Sequence, residues 1–79
     1  MNIEYQDAGS EARLIITSSL FGWRSHRKLV NAILSEVPQL GVSEENGLML
    51  NTMLYGPVAY VLCAEIVVEE MGYQVWEAE

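Results

Sequence analysis

The spacing of apolar residues changes near Phe21, and this change decides the fold class. Residues 2–6 alternate between polar and apolar, and residues 12–20 have β-branched side chains at their centre, so both segments are predicted to be strands. Turn-forming residues 7–11 lie between them and predict a β-hairpin. After Phe21-Gly22-Trp23 the apolar residues recur at helical spacing from Leu29 to Val37, which predicts a helix over residues 25–37. A hairpin followed directly by a helix indicates an α+β fold.

The second half of the chain leaves more alternatives open. Pro38 ends the first helix. Residues 43–46 (Ser-Glu-Glu-Asn) are a plausible start for a second helix because the serine can cap it and the acids suit its positive end. Gly47 and Asn51 weaken that helix, so residues 48–55 are the alternative site of an extended segment.

The last predicted helix begins at Gly56-Pro57 and ends at Gly72, a residue suited to a left-handed C-cap. Its many β-branched residues make a strand over residues 58–63 the competing interpretation. Residues 73–76 then predict a final strand. We expect one α+β domain over residues 1–79, in which the hairpin and the final strand form a three-stranded antiparallel sheet packed by two or three helices. No internal repeat is visible in the sequence.

The charge is distributed unevenly along the 79 residues. All four basic residues lie in the first 28 positions, whereas residues 29–79 carry eight of the 11 acids and no lysine or arginine. The net charge of -7 opposes DNA, RNA and anionic membranes and attracts basic protein surfaces. Residues 46–64 are uncharged and nearly long enough to span a bilayer, but they contain polar residues and are split by Gly56-Pro57. We therefore expect no membrane segment and no direct contact with nucleic acid.

The residues usually needed for catalysis or metal binding are few. A single cysteine and a single histidine argue against a disulfide framework and a closed zinc site. His26 lies among cations and is expected to be neutral and partly exposed, and Cys63 lies in an apolar run and is expected to be buried and unreactive. No phosphate loop, nucleophile elbow or calcium loop is present in the sequence. We expect a non-enzymatic protein without a cofactor.

Two resemblances add to this interpretation. The order of elements, with Leu29-Val30, Ser43-Glu44-Glu45 and Met71-Gly72-Tyr73 as its markers, resembles the ribosomal stalk protein C-terminal domain and the ClpS-type adaptor. Ser18-Ser19 stands where the adaptor has an Asn-Asp pair, so this resemblance implies a fold and not a function. In its length and acidity the chain resembles small phage inhibitors of the anti-CRISPR type. That resemblance implies a DNA mimic that blocks a basic nucleic-acid channel in the host cytoplasm.

The charge distribution and the resemblance lead to one functional hypothesis and one alternative. The hypothesis is a monomeric inhibitor that docks on a basic surface of a nucleic-acid-binding complex through an acidic face, with a homodimer as the alternative state. The predicted acidic face consists of Glu65, Glu69, Glu70, Glu77 and Glu79. The alternative function is an adaptor or structural interaction module with an apolar groove, for which the predicted anchors are Trp23, Tyr55, Tyr60 and Trp76. Residues 1–7 contain two acids and no basic region, so we expect a cytoplasmic protein without a secretory leader.

Overall fold

A computed structural model describes residues 1–77 of the chain. Two hairpins alternate with two helices, and a short strand follows. The elements are β1 (Asn2–Asp7), β2 (Glu11–Ser19), α1 (Trp23–Glu36), β3 (Gly41–Asn46), β4 (Met49–Pro57), α2 (Val58–Glu70) and β5 (Trp76–Glu77). A single 3₁₀ turn, Leu20–Gly22, links β2 to α1 at the point where the apolar spacing changes.

The strands form one sheet in the order β3-β4-β2-β1-β5. All neighbours are antiparallel except β1 and β5, which are parallel. The α+β class and the single sheet packed by helices are therefore confirmed. The sheet has five strands where the sequence predicted three, because residues 41–57 form a second hairpin.

The predicted helix start at residues 43–46 was wrong, and the extended alternative for residues 48–55 is correct. Strand β3 pairs along its whole length with β4, for example Glu44 with Thr52. Asn46 ends β3 and Gly47-Leu48 connect it to β4, so the pairing of the two strands outweighed the helix-capping pattern of residues 43–46. In β4 the residues Thr52 and Leu54 are buried at alternate positions, as in a strand with one covered face.

The two long helices were located correctly by their apolar spacing. Helix α1 begins at Trp23, two residues earlier than predicted, and α2 covers residues 58–70, so the strand alternative for residues 58–63 was wrong. Gly72 has a φ of 93° after the end of α2, and the amide of Tyr73 donates a 3.2 Å bond to the carbonyl of Val68. This is the Schellman arrangement for which glycine is favoured.

The core lies between the helices and one face of the sheet. Strand β2 buries alternate residues, and α1 buries one stripe at helical spacing. The core consists of Ile3, Tyr5, Ala12, Leu14, Ile16, Leu29, Val30, Ile33, Val37, Leu40, Leu54, Val61, Ala64 and Val68. Because the buried residues of the sheet all face the helices, its other face has no covering element within residues 1–77.

The chain contains a structural repeat that its sequence does not show. In each half a strand of six residues, a strand of nine and a helix of 13 or 14 follow one another. The two halves meet where β2 pairs antiparallel with β4, so an approximate twofold axis passes through the centre of the sheet. The repeat lies in the order and lengths of the elements, not in residue identity.

The carboxyl-terminal strand differs from its prediction in position and direction. It covers Trp76–Glu77 instead of residues 73–76, and it is parallel to β1. Strand β1 therefore lies inside the sheet. The edges of the sheet are β3 and β5.

Candidate protein-binding surfaces

Three carboxylates gather beside the β5 edge of the sheet, and we call Glu65, Glu69 and Glu77 the acidic cluster. Glu65 and Glu69 are one helical turn apart on α2, and Glu77 pairs with Tyr5 across β5 and β1. Partial burial raises the pKa of Glu65, and the charges of Glu77 and Glu69 raise it further. The charged groups that act on Glu65 are thus carboxylates, so ionisation of the cluster is opposed by its own members.

The phenol of Tyr5, which is buried in the core, is affected by the charges of the same carboxylates. Burial raises its pKa, and the charges of Asp7, Glu65 and Glu77 add to that effect. Tyr5 therefore stays neutral and packs in the core beneath the acidic cluster. The cluster has an apolar base instead of a compensating cation.

The other two predicted members of the acidic face lie elsewhere. Glu70 is on the side of α2 that faces α1, where it borders a groove between the helices. Glu79 lies outside the described residues. The structure thus brings together three of the five predicted acids and places a fourth on a neighbouring surface.

The groove between the helices has a volume of about 650 Å³, and we call it the interhelical groove. Its lining is apolar or small along most of its length, with one carboxylate from each helix. The lining residues are Ala32, Ser35, Glu36, Val37, Cys63, Ile66, Val67, Glu70 and Met71. The end of α1 meets the start of α2, since the side chain of Leu40 lies against Gly56. Glu36, at the end of α1, therefore lies near one end of the groove, and Glu70, at the end of α2, lies near the other.

Helix α2 carries apolar side chains on all of its faces. Val61, Ala64 and Val68 are buried, yet Leu62 and Ile66 on the opposite side are 44% and 56% exposed. A helix that is hydrophobic all round is normally covered on all sides. The outer face of α2 is therefore an uncovered apolar surface next to both the acidic cluster and the interhelical groove.

The four predicted apolar anchors do not converge. Trp23 begins α1 and lies 5.3 Å from the Arg24 guanidinium, measured from its ring centroid. Tyr55 extends across Gly41 on β3, Tyr60 is on α2, and Trp76 is on the edge strand β5. Among residues 1–77, the lining of the interhelical groove contains none of these four aromatics. The one groove between the helices is built from smaller side chains.

A second apolar surface lies at the end of the sheet where β2 leads into α1. Phe21 is fully exposed, and Leu48 in the β3–β4 turn is 91% exposed. Met49 pairs with Ser19, so the two connections are neighbours. The exposed cations Arg24, Arg27 and Lys28 follow on the first turns of α1. Three of the four basic residues thus lie at this end of the molecule.

His26 is buried, so the prediction of a partly exposed histidine was wrong. Its Nδ1 lies 2.8 Å from the Ser18 Oγ, and its Nε2 lies 2.7 Å from the Thr52 Oγ1. The charged neighbours of this ring are Glu44 on β3 and Arg27 on α1. Burial lowers the pKa of His26 and Arg27 adds to the effect, against the opposite effect of Glu44. The ring links α1 to the two central strands.

Cys63 is exposed, so its predicted burial was also wrong. The apolar run around it belongs to a helix whose outer face is open, and apolar neighbours in sequence do not guarantee a covered side. Within residues 1–77, no cluster of three or more potential metal-binding side chains occurs. In the same range, no helix has the length and apolar character needed to cross a bilayer.

Comparison with known proteins gave no significant match to a protein-family model, a curated protein or a solved structure. The resemblances to the stalk domain, the ClpS-type adaptor and the anti-CRISPR inhibitors therefore remain sequence-based interpretations.

The interhelical groove was missed by the sequence analysis, although one signal for it was present. Residues 58–68 contain a single charged residue, Glu65, and their apolar side chains fall at every helical angle instead of on one stripe. That pattern already indicates a helix with two apolar faces. The contribution of Ala32 and Ser35 from α1 depends on how the two helices pack and has no sequence signal.

Proposed function

We propose that the chain is a non-enzymatic, protein-binding inhibitor that docks on a basic protein surface through the acidic cluster. The observation that carries this proposal is the grouping of Glu65, Glu69 and Glu77, in which the charges acting on Glu65 come from the other two carboxylates. No lysine or arginine follows Lys28 in the sequence, so α2 and β5 supply no cation of their own.

Such a cluster opposes folding and favours binding for the same reason. Like charges that are partly desolvated raise the free energy of the folded chain. A basic partner surface would neutralise them and remove that cost on association. Natural proteins retain costs of this kind at functional surfaces.

The partner expected from this chemistry is a protein whose basic surface normally holds nucleic acid. Carboxylates spaced along a helix and a neighbouring strand compete with phosphates for the same lysines and arginines. Occupation of that surface would exclude the nucleic acid, and this is the proposed inhibitory mechanism. We place the activity in the cytoplasm, with the chain acting as a monomer away from membranes.

A second candidate is an adaptor that binds mainly through apolar contacts. The exposure of Leu62 and Ile66 on the outer face of α2 favours it. The two candidates differ in their response to salt, because screening weakens contacts between charges and leaves apolar burial intact or stronger.

The test is capture of partners from host cell extract by two variants of equal net charge. Glu65→Lys with Glu69→Lys reverses the acidic cluster, whereas Glu11→Lys with Glu45→Lys reverses two exposed acids of the sheet. We expect the first pair to lose a partner that the wild type and the second pair retain, and we expect added nucleic acid to compete with that partner. Retention of the partner by the cluster variant would refute the proposal.

A further inference from the structure

We propose that the interhelical groove receives one amphipathic helix of the basic partner, with apolar residues toward its floor and a cation near each end. This inference rests on the proposed function and specifies how the partner is held. It follows from the floor of the groove, the charges at its ends and the composition of the two helices that form it.

The floor of the groove is suited to a third helix. Ala32, Ser35 and Cys63 are small, which allows another backbone to approach α1 and α2 closely. Ile66 and Met71 provide apolar contacts, and methionine adapts its shape to its neighbours. Cys63 to Glu70 spans about 10 Å at 1.5 Å per residue, which matches partner side chains at positions i, i+3, i+4 and i+7 of a helix.

The carboxylates of the groove favour an occupant that carries positive charge. The two charged lining residues of the groove are Glu36 and Glu70, one from each helix. The acidic cluster borders the outer face of the same α2. A helix seated in the groove would therefore place basic side chains near a carboxylate at each end.

A second copy of the chain does not supply such a helix. Helix α1 carries cations, but between Arg24 and Glu36 its exposed residues are polar or charged. Helix α2 has an exposed apolar face, but its charged residues are Glu65, Glu69 and Glu70. Neither helix combines an exposed apolar seam with cations, and two α2 faces would bring carboxylates together. The occupant is consequently a helix of a different protein.

Cys63 provides a direct reporter because it is the only cysteine of the chain, is exposed and lines the groove. The probe is a peptide of about 15 residues, a length at which isolated helices begin to form, with a leucine seam and a lysine at each end. The control peptide has glutamate in place of each lysine. Binding is followed by fluorescence anisotropy, and alkylation of Cys63 by iodoacetamide is followed by mass spectrometry.

With the lysine peptide at about ten times its dissociation constant, we expect the alkylation rate to fall about tenfold, in proportion to the unbound fraction. The glutamate peptide should give no protection. Ala32→Trp should fill the groove and abolish binding of the lysine peptide, whereas Ala8→Trp, exposed in the turn between β1 and β2, should leave it unchanged.

Binding without protection of Cys63, or absence of binding by the lysine peptide, would overturn the groove assignment. The proposed function fails separately, when the Glu65→Lys and Glu69→Lys pair still captures the host partner. A partner that depends on the acidic cluster but leaves Cys63 fully reactive would support the proposed function and reject the groove as the site of docking.

Discussion

Substitution of the buried His26 by alanine is expected to destabilise the fold strongly. Both ring nitrogens are within 2.8 Å of hydroxyl oxygens on β2 and β4. The substitution leaves the buried Ser18 and Thr52 hydroxyls without these partners, and each loss costs about 1–3 kcal/mol. The expected decrease in the free energy of unfolding is therefore about 2–6 kcal/mol.

That decrease is comparable to the whole stability of a domain of this size, because one core below about 80 residues supplies about 3–5 kcal/mol. We expect His26→Ala to be partly or wholly unfolded at neutral pH. Urea unfolding followed by tryptophan fluorescence gives the free energy, and an unchanged slope with denaturant shows that the folded and unfolded states remain comparable. Lys28→Ala, at an exposed position on the same helix, is the control and should change stability by less than about 0.5 kcal/mol.

A triple variant separates hydrogen bonding from packing. Ser18→Ala, His26→Leu and Thr52→Val together remove all three polar groups and keep their approximate volumes. Replacing both partners of a buried hydrogen bond by apolar groups is close to neutral, so the triple variant should be more stable than His26→Ala. The reasoning is refuted if His26→Ala costs less than about 1 kcal/mol or if the triple variant is the less stable of the two.

Three further predictions concern pH and local structure. Because burial lowers the pKa of His26 below its usual 6.5, the folded chain binds fewer protons than the unfolded chain just below that pH. Stability should therefore fall as the pH is lowered through 6.5 toward the folded-state pKa, and urea titrations of the triple variant should lack this component. Glu65 has the opposite sign, since its pKa is raised above 4.5 and the folded chain holds its proton more tightly. Its contribution should weaken the fold as the pH rises through the window above 4.5, so Glu65→Gln should be more stable than wild type at pH 7 in thermal unfolding; a less stable variant would contradict this. Gly72→Ala should cost about 1 kcal/mol, because alanine is strained at a φ of 93°, whereas Gly47→Ala in the β3–β4 turn, where φ is not positive, should cost less.

Much of the fold was predictable because apolar spacing alone reports which face of an element is covered. Strands β1 and β2 and both helices follow from such patterns, whereas the turn of the first hairpin and the end of α2 at Gly72 follow from turn and C-cap residues. Strand β3 was not predictable in this way, since five of its six residues are exposed and its sequence also satisfies the rules for a helix start. Pairing with β4, a tertiary contact, decides between the two states.

The candidate surfaces were predictable only in their chemistry. Excess acid in residues 29–79 predicted an acidic face, but the separation of Glu70 from the acidic cluster depends on how α2 rotates against α1. His26 and Cys63 exchanged their expected environments for a related reason. The local sequence around each residue describes its neighbours along the chain, whereas burial depends on which side of a helix meets the sheet.

The most direct test of the proposed docking is the salt dependence of the dissociation constant for the partner captured from the host. The screening length falls from about 10 Å at 0.1 M salt to about 3 Å at 1 M. We predict that the wild-type affinity falls at least about tenfold over this range, or about 1.4 kcal/mol. The Glu65→Lys and Glu69→Lys pair should bind more weakly than wild type at 0.1 M salt, and the Glu11→Lys and Glu45→Lys pair should resemble wild type. A dissociation constant that is unchanged by salt and equal for all three proteins would contradict docking through the acidic cluster.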